Sequence, residues 1–335
     1  MSFIEEPKYG VREFGFRPIL SNDVAKSVPG TSVELFDKVF PDDDACLAHV
    51  FDIRFGQGYP CRSCGKSAIW IRRETRRSFI AQCCRNVHVY PLSNSLFHRT
   101  KVPLKDWFLL ILHFVNSKTG MSSTLARRLL GVPHRTAFYL CDRIRTHLAM
   151  MERRRQIGGP GQYVYVDEAM VRGVISGNGE KNTVLVLGIC TENDLITTVI
   201  PNRKSETLVP IIERLVKSGS ILATDGFASY NILAKRGWRR EVVNHSKRIF
   251  VNENGISQAQ IETYWGHLKR NFRLNHLKAE RANIWKYINS FNFVYNRRHR
   301  SREIFWDAIS AFPVFPQDPA PYGDMDAEFD GRRHG

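Results

Sequence analysis

Two short apolar runs in this chain each stop on an aspartate. Val164-Tyr165-Val166 runs into Asp167, and Ile221-Leu222-Ala223-Thr224 runs into Asp225. Runs of this length, rich in β-branched and aromatic residues, read as strands. Between them, NTVLVLGICTE and LITTVIP read as two strands of a meander. SETLVPIIERLVKSG reads as an amphipathic helix with Ser205 as its N-cap, and REVVNHS as a further short strand. QAQIETYWGHLKRNF and ANIWKYINSFNFVYNRRH follow as helices. Strands succeeded by helices that can cover them predict an α/β domain over residues 163–312.

In such a sheet, adjacent strand ends can hold two acids side by side. A helix packed across that edge can bring a third, and Glu262 lies in the helix that carries Ile261, Tyr264, Trp265 and Leu268. Clustered carboxylates repel one another unless a cation sits among them. Hard oxygen ligands with room for water favour Mg²⁺ or Mn²⁺. Two such ions can activate the attacking oxygen and stabilise the leaving oxygen of an in-line phosphoryl displacement. Any one of these acids alone reads as an ordinary solvated carboxylate; three in this arrangement point to a site. Glu168, beside Asp167, would face the other side of a strand and ranks as a supporting or structural residue.

The half upstream has a different texture. Residues 1–35 show no periodicity and read as a partly ordered lead-in. Residues 36–56 look helical, with Asp42 to Asp44 as candidate N-caps after Pro41. Over 36–98 the sequence predicts a zinc-ribbon-like domain. Cys61-Arg62-Ser63-Cys64-Gly65 is a CxxC knuckle that sets two soft thiolates on one tight turn, as tetrahedral Zn²⁺ requires. The second half of such a site would come from Cys83, Cys84 and His88, beyond the strand-like stretch SAIWIRRETRRSFIAQ. Adjacent cysteines rarely serve one metal together, so Cys83 or Cys84 with His88 is one completion. A metal-free ribbon held by its hairpin is the competing reading. Cys46, Cys141 and Cys190 stand in apolar surroundings and read as small core residues.

Residues 99–150 read as helical and contain a helix-turn-helix. Leu125, Ala126 and Leu129 form the inner face of its first helix, Gly131 and Val132 the turn, and Thr136, Ala137, Leu140 and Ile144 the inner face of the second. His134, Arg135 and Tyr139 are then candidates for base or phosphate contact, and Arg143 and Arg145 for phosphate. A helical hairpin that only packs is the plainer reading. Residues 151–162, basic and then Gly/Pro-rich, read as a linker, and residues 313–335 as a disordered tail.

Charge supports a polyanionic partner: 49 Lys and Arg against 33 Asp and Glu give a formal net charge of +16 over 335 residues. No run of eighteen apolar residues argues for a membrane span, and the N-terminus lacks the apolar block of a signal peptide. Seven cysteines, an odd number and partly clustered, argue against a disulfide framework.

The order of these parts resembles that of bacterial insertion-sequence transposases related to the eukaryotic Merlin elements. The resemblance runs from about residue 38 to 310 and rests on LFHRTKVPLKDWF, SSTLARRLLGVPHRTAFYLCDRIR, VDEAMVRG, TDGFASY, NHS, IETYWGHLKR and FNFVYNRR. It implies a zinc ribbon, a helix-turn-helix and an RNase H-like core whose catalytic triad is Asp167, Asp225 and Glu262. The gap between the last two, residues 226–261, is 36 residues and fits the family. It further implies that Lys269, seven residues past Glu262, contacts DNA near the cleavage site, and that His245 neighbours the active site. Ala259 stands where some members carry an Asn. The implied partners are double-stranded DNA, as element ends and target, and further copies of the chain in a dimer or larger synaptic assembly. The implied location is the bacterial nucleoid, or the nucleus in a eukaryote. A structure-specific nuclease of the same core, or a domesticated DNA-binding regulator, would share most of these features.

Overall fold

The computed structural model describes residues 32–117, 120–152, 156–175, 181–243, 259–275 and 279–315. The helical stretch expected over 36–56 comprises two helices, α1 (Val33–Val39) and α2 (Asp43–Arg54). Pro41 explains the break, because it drives the preceding residue out of the helical region, and Phe40 takes φ −121°, ψ 67°. Asp42 then caps α2, accepting from the Ala45 amide at 2.8 Å.

Strands β1 (Trp70–Arg73), β2 (Ser78–Ala81) and β3 (His88–Val89) form a small antiparallel sheet. Three helices follow: α3 (Leu104–Asn116), α4 (Ser123–Leu130) and α5 (His134–Met151). The stretch expected as a linker is knitted in after residue 155. Ile157 is buried and exchanges backbone hydrogen bonds with Leu215 and Lys217.

A second sheet comprises β4 (Tyr163–Ile175), β5 (Lys181–Cys190), β6 (Leu195–Ile200), β7 (Ile221–Thr224) and β8 (Arg239–Val242), in the order β6-β5-β4-β7-β8. β4, β5 and β6 are the expected antiparallel meander, while β7 and β8 join in parallel. Helices α6 (Ser205–Leu215) and α7 (Asn231–Lys235) lie around β7 in the chain. Helix α8 (Ala259–Asn275), strand β9 (Ala279–Glu280) on the far end of β4, and helices α9 (Ile284–Asn296) and α10 (Ile304–Ala308) complete the order. Ser205 does not cap α6; the N-cap is Lys204, with no side-chain cap bond.

Alternation along β4 splits the sheet's burial in two. Val164 and Val166 pack with Leu208, Ile212 and Leu215 of α6 on one face. Ala169 and Val171 pack with Ile261, Tyr264, Trp265 and Leu268 of α8 on the other. A third core joins α1–α5 and the small sheet to the chain's C-terminal part, burying Phe293, Ile304, Phe305, Ile309, Phe312 and Phe315. Two histidines fasten that part: the buried His147 ring bonds the Ala308 carbonyl at 2.7 Å and the half-buried His49 ring the Ile309 carbonyl at 3.0 Å. Packing therefore crosses the boundary placed at 312, and the first residues of the expected tail are ordered. Residues 316–335 lie outside the described residues.

Candidate active site and cysteine cluster

Asp167 does not end a strand. β4 continues to Ile175 because β5 carries its ladder onward. What ends is β7, whose last parallel pair with β4 is Val166–Thr224. Asp167 and Asp225 are the next residue on each strand, so register sets them side by side where β7 leaves the sheet. Asp167 follows Val166, which faces the α6 core, so its side chain belongs to the α8 face, and Asp225 is the first residue past β7. Each is half-exposed. Asp225 Oδ1 accepts from the Phe227 amide at 3.0 Å, which closes the turn after β7. Arg240 holds the same bend, donating to Thr224 Oγ1 and to the Asp225 carbonyl, each at 2.8 Å.

Helix α8 reaches this pair through Trp265, whose indole Nε1 donates to Asp167 Oδ2 at 2.9 Å. A glycine makes that approach possible. Gly188 is the β5 partner of Asp167, and a Cβ there would meet Trp265 Cζ2 at 2.7 Å and Ile261 Cδ1 at 3.2 Å. Glu262 follows Ile261 and precedes Trp265 by one turn, on the exposed side of the helix. Lys269 is exposed two turns further along. His245 lies outside the described residues, and nothing here places it.

Glu168 points to the opposite face, as the strand period requires. It is buried, accepts a hydrogen bond from Tyr230 Oη, and has Arg203 Nε at 4.0 Å from Oε2. Burial pushes its carboxyl above the usual range. The neighbouring Asp167 and Asp225 push the same way, and the Tyr230 hydroxyl and Arg203 push against them. The donor set suits a hard cation: two half-exposed carboxylates just past the last β4–β7 pair, with a third acid on the helix that touches Asp167. The three acids do not converge as closely as the cysteines do.

The four cysteines form the tighter group. The Sγ atoms of Cys61, Cys64, Cys83 and Cys84 all lie within 4.8 Å of one another, and Cys64 and Cys83 are 3.7 Å apart. The knuckle turns at Gly65, with φ +70°, and the second pair sits in the bend between β2 and β3. Both adjacent cysteines therefore face the same point, as the set Cys61, Cys64, Cys83 and Cys84 requires, and His88, the alternative donor, is not part of the group. The His88 ring instead approaches Ser78 Oγ at 3.5 Å and stacks on Tyr90. The amides of Cys64 and Ser63 draw the Cys61 thiol down to about 7, whereas desolvation and the neighbouring thiols push Cys83 up to about 12. Four thiols this close can ionise together only around a cation.

In the helix-turn-helix, Ser122 caps α4, accepting from the Leu125 amide at 3.2 Å, and Gly131 makes the turn with φ +66°. Ala126 and Ala137 are buried where the helices pass. Leu125 and Leu129, expected inside, are 50% and 39% exposed, and Ala126 is the fully buried residue of α4. On α5, His134, Arg135, Phe138 and Tyr139 are exposed. His134 Nε2 reaches back to Ser123 Oγ at 3.2 Å. The two arginines further along are not free for phosphate. Arg145 is buried, donates to the Met121 carbonyl at 3.0 Å and lies over the rings of Phe114 and Tyr287. Arg143 donates to the carbonyls of Leu96 and Ser95 and lies over Tyr139 and Phe315.

Sequence reasoning gave Trp265 and Tyr230 no role of their own. Their polar tips give them one, and their closeness in sequence to Glu262 and Asp225 was the available signal. Nothing in the sequence marked Gly188 or Arg240. Among the described residues no helix is long and apolar enough to cross a membrane.

The model of the ISXO2-like transposase domain matches residues 158–296, a span that holds Asp167, Asp225 and Glu262. Over 101 residues the chain is 36% identical to a Haemophilus influenzae protein described as an uncharacterized transposase-like protein. That stretch is 28% of this chain and 80% of the relative. The relative is covered over most of its length, and the domain match takes in the acid-bearing sheet with α8 and α9, so the chain belongs to the insertion-sequence transposases with an ISXO2-like transposase domain.

Proposed function

We propose that the chain cleaves and joins DNA at Asp167, Asp225 and Glu262, with Mg²⁺ or Mn²⁺ held by their carboxylates. The observation that carries this reading is the register of β4 and β7, whose last pair Val166–Thr224 immediately precedes Asp167 and Asp225, together with the α8 indole on Asp167. The mixed sheet, antiparallel over β4 to β6 and parallel at β7 and β8, supports reading this part as an RNase H-like core. When bound, divalent ions would lower the charge on the attacking and leaving oxygens of an in-line phosphoryl displacement. The protein's own contribution is placement. Arg240 and the Phe227 amide fix the Asp225 bend, Trp265 donates to Asp167, and Lys269, exposed two turns past Glu262, would take a phosphate. No covalent protein–DNA intermediate is needed.

In the same reading, Cys61, Cys64, Cys83 and Cys84 hold Zn²⁺ and shape the ribbon. His134, Arg135 and Tyr139 contact the terminal inverted repeats, and two or more copies bring two element ends together. The test is a strand-transfer assay with Mg²⁺ on pre-cleaved ends bearing the repeats that flank the gene. Wild type should join ends to target, and Asp225→Ala should not. Activity that survives the substitution removes Asp225 from the site. Hydrolysis without joining favours a nuclease, and end binding without cleavage favours a DNA-binding regulator.

A further inference from the structure

The ladder that aligns the two aspartates stops one residue too soon. Val166–Thr224 is the last β4–β7 pair, so no backbone ladder between these strands holds Asp167 against Asp225. A side-chain contact behind the sheet spans the gap. Glu168 follows Asp167 and points away from the site, its side chain 3% exposed. Tyr230 ends the short 3-10 turn Ala228–Tyr230 that follows Asp225, and it is fully buried. Its hydroxyl donates to Glu168 Oε1. Tyr230 is in turn tied to the Asp225 bend. Its amide bonds the Phe227 carbonyl at 3.2 Å, the Phe227 amide bonds Asp225 Oδ1, and the Arg240 guanidinium that grips Thr224 and Asp225 lies 5.9 Å from the Tyr230 ring centre.

We propose that Glu168 and Tyr230 are positioning residues: their hydrogen bond, made on the far face of the sheet, sets the separation of Asp167 and Asp225. A buried carboxylate costs more than an apolar side chain of similar volume, so shape alone does not account for it. Neither residue touches DNA or metal; each acts through the backbone of the acid next to it. The inference rests on the reading of Asp167 and Asp225 as a divalent-ion site.

The test uses the full chain and Mn²⁺ as the probe, with Asp225→Ala defining background binding by electron paramagnetic resonance. Tyr230→Phe removes only the hydroxyl. It should raise the Mn²⁺ concentration for half-saturation, and the Mg²⁺ concentration for half-maximal cleavage, by about 10- to 100-fold. Affinity for element ends should hold, while the melting temperature falls modestly because the buried Glu168 carboxylate loses its donor. Glu168→Gln keeps an oxygen that can accept from Tyr230, so it should restore near-wild-type metal dependence, whereas Glu168→Leu should behave like Tyr230→Phe. Unchanged metal dependence in Tyr230→Phe overturns the proposal. So does a loss confined to melting temperature, which would make the pair merely structural. If Glu168→Gln abolishes Mn²⁺ binding as Asp225→Ala does, Glu168 is itself a ligand and the positioning role is refuted. A wild type that binds no Mn²⁺ above background refutes the divalent-ion site itself, an outcome distinct from intact binding that Tyr230→Phe leaves undiminished.

Discussion

The cysteine cluster and the acidic site are both candidate metal centres, and they are assembled in opposite ways. The cysteines lie within 24 residues, 61 to 84, on two turns of one small sheet, and their four donor atoms already converge. The acids span residues 167 to 262 and come from a mid-strand position, a strand end and a helix. Register aligns two of them, and the third remains exposed one turn from the tryptophan that touches Asp167. A site built from local turns is complete once those turns form. A site built from long-range packing depends on every element that sets the register, and it leaves room for substrate to finish it.

The largest expected effect lies at the acidic site. Asp225→Ala should bring strand transfer to background while leaving end binding and zinc content intact, and a zinc content that fell with it would break the separation of the two sites. Next comes the cluster. Cys64→Ser should lose zinc, measured by metal analysis of the purified protein, and with it much of the binding energy that holds the ribbon. His88→Ala should keep its zinc, and a loss there would restore His88 as a ligand. Third, acid should weaken the core that joins the two halves. Burial pushes His147 down to about 4 from 6.5, so the unfolded chain takes a proton that the folded chain refuses. Stability should be flat above about pH 6.5 and fall as pH drops toward 4, by on the order of 3 kcal/mol, followed by denaturant melts. His49 shifts the same way, through burial.

Gly188→Val should cost about 1–3 kcal/mol by driving a side chain into Trp265. It should also lower cleavage more than it lowers zinc content, which would show that the acidic site alone depends on sheet-to-helix fit. The smallest effect is at the helix-turn-helix. Arg135→Ala should reduce the slope of log affinity against log salt by about 1 without changing melting. Arg145→Ala should do the reverse, because its guanidinium is a buried packing element.

The reach of the sequence follows the same division. The meander, the strand after α6, the CxxC knuckle and the glycine turn at Gly131 were all legible, because each depends on neighbours within a few residues. Leu125 and Leu129 were misplaced because helical period says which residues share a face, and only the partner helix decides whether that face is covered. Arg145 read as a phosphate contact until Phe114 and Tyr287 closed over it.

By itself the sequence determined most of the longer strands and helices, which residue types could hold hard and soft metals, and that α/β follows a basic helical half. Period, turn chemistry and ligand spacing are local properties. Tertiary structure decided that Asp167 stands in mid-strand, that both adjacent cysteines face one point, that Glu168 meets Tyr230 behind the sheet, and that the C-terminal helix closes the N-terminal core. Each of these depends on register or packing between segments far apart in the chain, which no local pattern encodes.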